Sequence, residues 1–231
     1  MRYRLGKLKE LSLLRGRWLD CGCATGGYTV ALVEMGVESA VGVDPDEART
    51  AEAASAHRAN PAVQFQQAEA ESLPFPDASF DGVLLNEVLE HVRSERQTLR
   101  EIYRVLKPAG RLAIMVPNRG FPFEGHGMHI GSLNVNIPIP FLAWVPQRIG
   151  RHFMRARNYW PRELHDLVNS QEFEIQHTSF LFPTFEVYPW LPARAVARYR
   201  QLVPELERTP LLRRMGNSYL LIARKPPDNA R

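Results

Sequence analysis

Two carboxylates with a glycine bend between them hold the most legible chemistry in this chain. Asp20 opens the run Asp20-Cys21-Gly22-Cys23-Ala24-Thr25-Gly26-Gly27, and Asp44 closes Val41-Gly42-Val43-Asp44. A carboxylate at a strand end can accept two hydrogen bonds at once, which suits a pair of ribose hydroxyls. A glycine loop ahead of a helix lets backbone approach a ligand and aims unpaired N–H groups at a ligand carboxylate. Asp20 stands at the mouth of that loop, where its charge repels a phosphate and attracts an ammonium group. The combination argues against a dinucleotide, whose pyrophosphate site avoids negative charge. It fits S-adenosylmethionine, with the ribose at Asp44 and the amino acid end near Asp20. Both carboxylates are expected to face one cavity.

These residues need rigid elements behind them. Trp18–Asp20 reads as a short buried strand, Tyr28 to Met35 as an apolar helix, and Ala40–Asp44 as a second strand, the first half of a nucleotide-binding βαβ unit. Further strands are expected at Val63–Gln67, Phe80–Asn86, Arg111–Pro117, Phe173–Phe182 and Ser218–Arg224. Helices are expected at Arg4–Leu14, Gly26–Met35, Asp46–Arg58, Glu95–Val105 and Pro161–Asn169. The alternation predicts an α/β fold, a Rossmann-like seven-stranded sheet of five parallel strands followed by an antiparallel edge hairpin, with helices on both faces. The connection Leu181–Asn217 reads as long and irregular.

Residues 1–231 are expected to form a single domain, with 118–159 an insertion after the fifth strand. Prolines 138, 140 and 146 exclude one regular helix there, although Trp144–Arg157 could form a short one. A segment of that length at the carboxyl end of an open sheet reads as a lid over an acceptor.

Five pieces stand in order over roughly the first half of the chain: WLDCGCATGG (18–27), VGVD (41–44), AEAESLPFPDASFDGV (68–83), NEVLEHV (86–92) and LKPAGRLAIMVPN (106–118). Together they resemble the class I S-adenosylmethionine-dependent methyltransferases, in the group with an Asp-x-Gly-x-Gly-x-Gly loop and a Leu-Pro-Phe segment. Two departures are visible: Ala24 where the third loop position is usually Gly, and Ala109 where a Gly-Gly pair is common. The resemblance implies the fold, methyl transfer, and S-adenosylmethionine as cofactor. It implies cofactor contacts at Asp20, Gly22, Cys23 and Gly26 for the methionine end and at Asp44 for the ribose. Pro45 would pack against the adenine, and Glu69 with the backbone of Ala70 would meet the adenine amine. Glu71 is a rival to Glu69, and Asn86 would face the cofactor. Asn86-Glu87-Val88-Leu89 lacks the Asn/Asp-Pro-Pro-aromatic tetrapeptide of enzymes that methylate exocyclic base nitrogens, so that chemistry is disfavoured.

Methyl transfer from a sulfonium is an in-line displacement, and holding the reacting atoms ~3–3.5 Å apart, aligned and dry, supplies much of the acceleration. A base is needed only where the acceptor must lose a proton. His126, bracketed by Gly125 and Gly127, suits a tight backbone that presents an imidazole able to take a hydroxyl proton. The alternative is a histidine that only hydrogen-bonds its own loop. Phe123, His129 and Tyr159 are candidates to line the acceptor pocket, and His129 also reads as structural. His91 is assigned to the scaffold. The expected acceptor is a small molecule or a glycan- or lipid-type compound, methylated at oxygen. The competing functions are a nicotinamide-dependent oxidoreductase and a cofactor-binding module without turnover. Asp20 and the missing Gly-x-Gly-x-x-Gly spacing oppose the first; retention of Asp20, Asp44 and the Leu-Pro-Phe segment opposes the second.

Charge is uneven: residues 1–117 hold 14 Lys/Arg against 16 Asp/Glu, and residues 118–231 hold 15 against 9. An acidic cofactor half joined to a basic remainder suggests an anionic acceptor or surface. The basic, aromatic segment 138–157 reads in three ways: a peripheral contact with an anionic membrane, lid core with a solvated exterior, or base stacking on nucleic acid. The last ranks lowest, since no RNA-binding module is recognisable and Lys is scarce. No apolar run reaches the ~18 residues needed to span a bilayer. The N-terminus lacks the apolar core of a signal peptide. Cys21 and Cys23 have no further cysteines with which to hold a metal, so no metal is expected and a reducing, cytoplasmic setting is inferred.

Overall fold

The apolar runs of the first half become five parallel strands: β1 (Arg17–Cys21), β2 (Ser39–Asp44), β3 (Val63–Gln67), β4 (Phe80–Asn86) and β5 (Leu106–Pro117). β1 pairs in parallel with both β2 and β4, β2 with β3, and β4 with β5. Two later strands, β6 (Glu174–Leu181) and β7 (Ser218–Arg224), complete a sheet of order β6-β7-β5-β4-β1-β2-β3 and form its antiparallel edge. The computed structural model describes residues 1–124, 127–130, 133–135, 139–150, 152–183, 185 and 192–228.

Chain direction across this sheet decides where a ligand can sit. From β1 the chain moves outward through β2 to β3, then returns to β4 on the other side of β1. The carboxyl ends of β1 and β4 therefore flank the point where strand order reverses, the usual crevice of an open α/β sheet. Helices α2 (Gly27–Glu34), α3 (Glu47–His57) and α4 (Glu95–Val105) supply the crossovers. Asp46 caps α3 by accepting from the Arg49 N–H at 3.2 Å, and Ser94 caps α4 by accepting from the Gln97 N–H at 3.3 Å.

Strands covered on both faces read as continuous apolar runs. In β1 and β4, Trp18, Leu19, Val83, Leu84 and Leu85 are buried. The Trp18 indole lies where a side chain on Gly82 would have to be, so a Cβ at Gly82 would collide with the ring. Gly82→Ala should therefore cost about 1–3 kcal/mol, the usual penalty of overpacking a filled core. Urea denaturation of the two proteins checks this, and an unchanged midpoint would contradict the packing described.

The chain divides into two compact units. The first is Met1–Met115 with Leu164–Thr178 and Leu221–Arg231; the second is Val116–Glu163 with Ser179–Leu220. The amino-terminal helix, α1 (Arg2–Glu10), ends earlier than its expected Leu14, because Ser12 takes a left-handed backbone at φ +55° and turns the chain. Among the described residues of 118–159, the second unit holds short elements: a 3₁₀ turn at Leu142–Trp144, a single helical turn at Gln147–Gly150, and two-stranded ladders. The connection expected to be irregular instead carries a 16-residue helix, Ala193–Arg208. Val196, Tyr199, Val203 and Leu206 recur along its covered face, but Pro204 inside it reads as a helix breaker. Helix Pro161–Asn169 begins, as its sequence suggests, with a proline in the first turn.

Candidate functional site

The glycine loop folds back on β2. The N–H groups of Gly22 and Cys23 both donate to the Val43 carbonyl, at 2.7 and 2.9 Å, and the Gly26 N–H donates to the Cys23 carbonyl at 2.8 Å. Gly22 and Gly26 adopt φ of +83° and +85°, and a Cβ on Gly22 would run into the Val88 side chain. Only glycine combines that backbone with so close an approach.

Beside this loop lies a cleft of about 150 Å³. Cys21 and Gly22 border it from β1, Pro45 from β2, residues 68–71 from the end of β3, and Val88 with residues 91–93 from the end of β4. Of the cofactor residues expected from sequence, Gly22, Pro45, Glu69 and Ala70 thus reach one cleft.

The two carboxylates behave differently from the expectation that both face that cleft. Each stands one residue behind a lining residue and is already engaged by the protein. Asp20 is buried, accepting from the Thr29 hydroxyl at 2.7 Å and from the Thr29 N–H. Burial pushes its carboxyl up to about 6, partly offset by the two Thr29 hydrogen bonds, and the nearby Asp44 carboxylate adds to the rise. Asp44 accepts from the Ala24 N–H at 2.9 Å with one oxygen and from the Asp46 N–H at 3.0 Å with the other. Loop donors must be satisfied once the loop packs down, and the two carboxylates are the acceptors within reach. They tie the loop to α2 and to β2.

The acidic pair after β3 divides its work. Glu71 accepts from the N–H groups of Arg93 and Ser94, at 2.7 and 3.3 Å, and so anchors the approach to α4. Glu69, half-exposed, pairs with the Arg93 guanidinium at 3.2 Å. At the end of β4, the Asn86 side-chain carbonyl accepts from Arg4 at 2.9 Å, and the same guanidinium nitrogen reaches Glu87 at 2.6 Å. Burial, with the Glu87 carboxylate next to it, pushes the Glu90 carboxyl well above the ordinary carboxylate range.

Cys21 borders the cleft and Cys23 points its thiol at the Ala24 carbonyl, 3.6 Å away. Burial pushes the Cys23 thiol up to about 12 and the Cys21 thiol further, so neither is a nucleophile. Among the described residues no group of three or more His, Cys, Asp or Glu is placed to hold a metal. His91, assigned from sequence to the scaffold, borders the cleft with its side chain about half exposed. Its place just past the carboxyl end of β4 was the available signal.

The acceptor candidates lie in the second unit. Phe123 packs against Phe121 at 5.8 Å between ring centroids. The His129 N–H donates to the Phe153 carbonyl at 2.8 Å. Tyr159 is buried, bridging Asn118 through the Pro117 carbonyl and the Arg119 N–H. His126 lies outside the described residues.

Residues 19–114 match the family described as a methyltransferase domain. The chain is 37% identical over 101 residues to a probable S-adenosylmethionine-dependent methyltransferase of Mycobacterium tuberculosis, covering 44% of this chain and 35% of that one. It is 33% identical over 155 residues to demethylmenaquinone methyltransferase of Symbiobacterium thermophilum, covering 63% and 60%. It is 39% identical over 110 residues to O-methyltransferase rstn1 of Aspergillus nomiae, covering 46% and 49%. The chain thus spans between about a third and three fifths of these relatives' lengths. The fold also matches a crystal structure of an S-adenosylmethionine-dependent methyltransferase from Mesorhizobium loti, with a TM-score of 0.65 and 18% identity over 95% of this chain and 96% of that one. Residues 19–114 thus match a methyltransferase domain, and the sheet order is that of the methyltransferase Rossmann-like fold.

Proposed function

We propose that the protein transfers a methyl group from S-adenosylmethionine to an oxygen of a small, hydroxylated acceptor of natural-product, glycan or lipid type. The observation that carries this reading is the cleft at the reversal of strand order, floored by Gly22, whose missing side chain lets Val88 pack close, and walled by an acidic pair. The residues fit the cofactor. Asp44 spends one lone pair of each oxygen on the loop and keeps others for ribose hydroxyls. Glu69 is placed to accept from an adenine amine, and Pro45, Val88 and Val92 give the cleft its apolar, water-excluding surface. Asp20 acts through its buried charge, which favours a cationic amino acid end. The bound cofactor supplies an electrophilic methyl on a sulfonium.

Protein side chains then have two tasks, alignment of the acceptor and removal of its proton. We assign the second to His126, and acceptor contacts to Phe123, His129 and Tyr159, with 118–159 as the covering segment. Relatives named as O-methyltransferases, rstn1 among them, support oxygen as the acceptor atom. The matches to demethylmenaquinone methyltransferase and to a ubiquinone/menaquinone biosynthesis C-methyltransferase favour a second reading in which the acceptor atom is carbon.

Incubation with methyl-labelled cofactor and cell extract divided into polar, lipid and RNA fractions tests the proposal. Label is expected in the polar or lipid fraction as an alkali-stable ether, and His126→Ala should lower turnover without changing cofactor affinity. A carbon-bound label supports the second reading. Label in RNA, or none in any fraction, overturns both.

A further inference from the structure

The turn at 139–150 in the second unit exposes more apolar surface than a loop needs. Phe141 is 57% exposed, Trp144 47% and Ile149 57%, three large apolar side chains within nine residues. Single exposed hydrophobes are ordinary, but a cluster of them marks a contact surface. Phe141 also holds a left-handed backbone at φ +63°, a conformation unfavourable for a bulky aromatic, and its ring stacks on Trp144 at 4.9 Å. The inner side of the same turn is fixed. Leu142 and Ala143 are buried, and the buried Arg119 guanidinium donates to the carbonyls of Ala143 and Val145 at 2.9 and 2.8 Å. A braced turn that nonetheless points its aromatics outward is built to present them.

The charge around it says to what. From residue 125 to residue 162 the sequence has no Asp or Glu, and it has five arginines, at 148, 151, 155, 157 and 162. Arg148 stands exposed beside Ile149. Aromatic and aliphatic side chains within a sequence run that carries arginine and no acid match the boundary between headgroups and acyl chains of an anionic bilayer. We infer that the Phe141–Ile149 turn is a docking surface for an anionic membrane. This goes beyond methyl transfer and stands whether or not the activity proposed above is right. A bilayer suits the turn better than nucleic acid, because Ile149 offers no ring to stack and lysine is absent from 118–224.

Flotation of the whole protein with vesicles tests it, comparing pure phosphatidylcholine with a 7:3 mixture of phosphatidylcholine and phosphatidylglycerol. Wild-type protein should float with the mixed vesicles and lose binding as salt is raised, while pure phosphatidylcholine binds at least about tenfold less. The double variant Phe141→Ser/Trp144→Ser should bind the mixed vesicles at least about tenfold less than wild type, with an unchanged melting temperature. Should that variant misfold, brominated acyl chains in the mixed vesicles give a second reading on the wild type, since they should quench tryptophan fluorescence as Trp144 enters. No flotation, equal flotation of a folded double variant, absence of quenching, or an RNA oligomer that binds this turn while vesicles do not compete would overturn the inference.

Discussion

Gly22→Ala should abolish measurable cofactor binding and destabilise the fold by about 2–5 kcal/mol. Two costs add. The native φ of +83° lies where a residue with a Cβ loses roughly 1–2 kcal/mol. The new methyl group would also overlap the Val88 side chain, on the far wall of the cleft, so one wall or the other must move. Overpacking of that kind costs about 1–3 kcal/mol by itself. Movement of the loop also disturbs the two N–H groups held on the Val43 carbonyl, and with them the cleft floor. The companion variant Gly22→Ala/Val88→Ala separates the two costs. It should recover the part of the stability lost to overlap and none of the part lost to backbone strain. Chemical denaturation and calorimetric titration read both quantities; full affinity in the single variant would refute the assignment of the cleft.

Asp20→Asn should split stability from binding, in opposite directions. A folded-state carboxyl near 6 against an unfolded value of 3.8 means that the native state holds this proton more tightly than the unfolded chain. Stability from Asp20 is then fully present below about pH 4 and is lost as pH rises through about 6, a span worth roughly 3 kcal/mol. Asparagine keeps an oxygen for the Thr29 hydroxyl and carries no charge to bury. At pH 7 the variant should therefore be more stable than wild type, by up to roughly 3 kcal/mol, and the decline in stability between pH 4 and 6 should flatten. Cofactor affinity should fall at least about tenfold, the smallest loss expected for a missing charge-assisted interaction. If asparagine lowers stability at pH 7, or leaves affinity alone, the carboxylate is structural.

Parts of this were legible in the chain because the physics was local. β2 and β7 each match a continuous apolar run of the sequence to within a residue, since strands buried on both faces cannot afford polar interruptions. β5 begins at Leu106 rather than Arg111 because Pro108 and Ala109 look like a turn, yet Ala109 and Gly110 exchange backbone hydrogen bonds with Lys225, the residue after β7. Ala24 and Ala109, visible from the start as departures from glycine, both hold left-handed backbones, at φ +46° and +63°. The substitution was visible in the sequence, whereas the strain needed the fold. Ala193–Arg208 was missed because Pro204 stands inside it, although Val196, Tyr199, Val203 and Leu206 recur at helical spacing.

The site divides along the same line. Gly22, Pro45, Glu69 and Ala70 could be placed because each follows directly from the end of a strand. The directions of Asp20 and Asp44 could not. They depend on where Thr29, Ala24 and Asp46 arrive once the loop has closed, a matter of three-dimensional hydrogen bonding rather than spacing. His91 and Arg93 belong to the cleft for the reason that made Asn86 visible, position after β4, but nothing in their spacing sets them apart from scaffold.

Calorimetric titration of S-adenosylmethionine into the wild-type protein, repeated from pH 7.5 down to pH 5, is the most direct test. One molecule should bind per chain, NAD should neither bind nor compete, and affinity should weaken below about pH 6 as the Asp20 carboxylate takes up its proton. No heat of binding with the sulfonium nucleoside, or displacement of it by NAD, would contradict the cofactor site set out above.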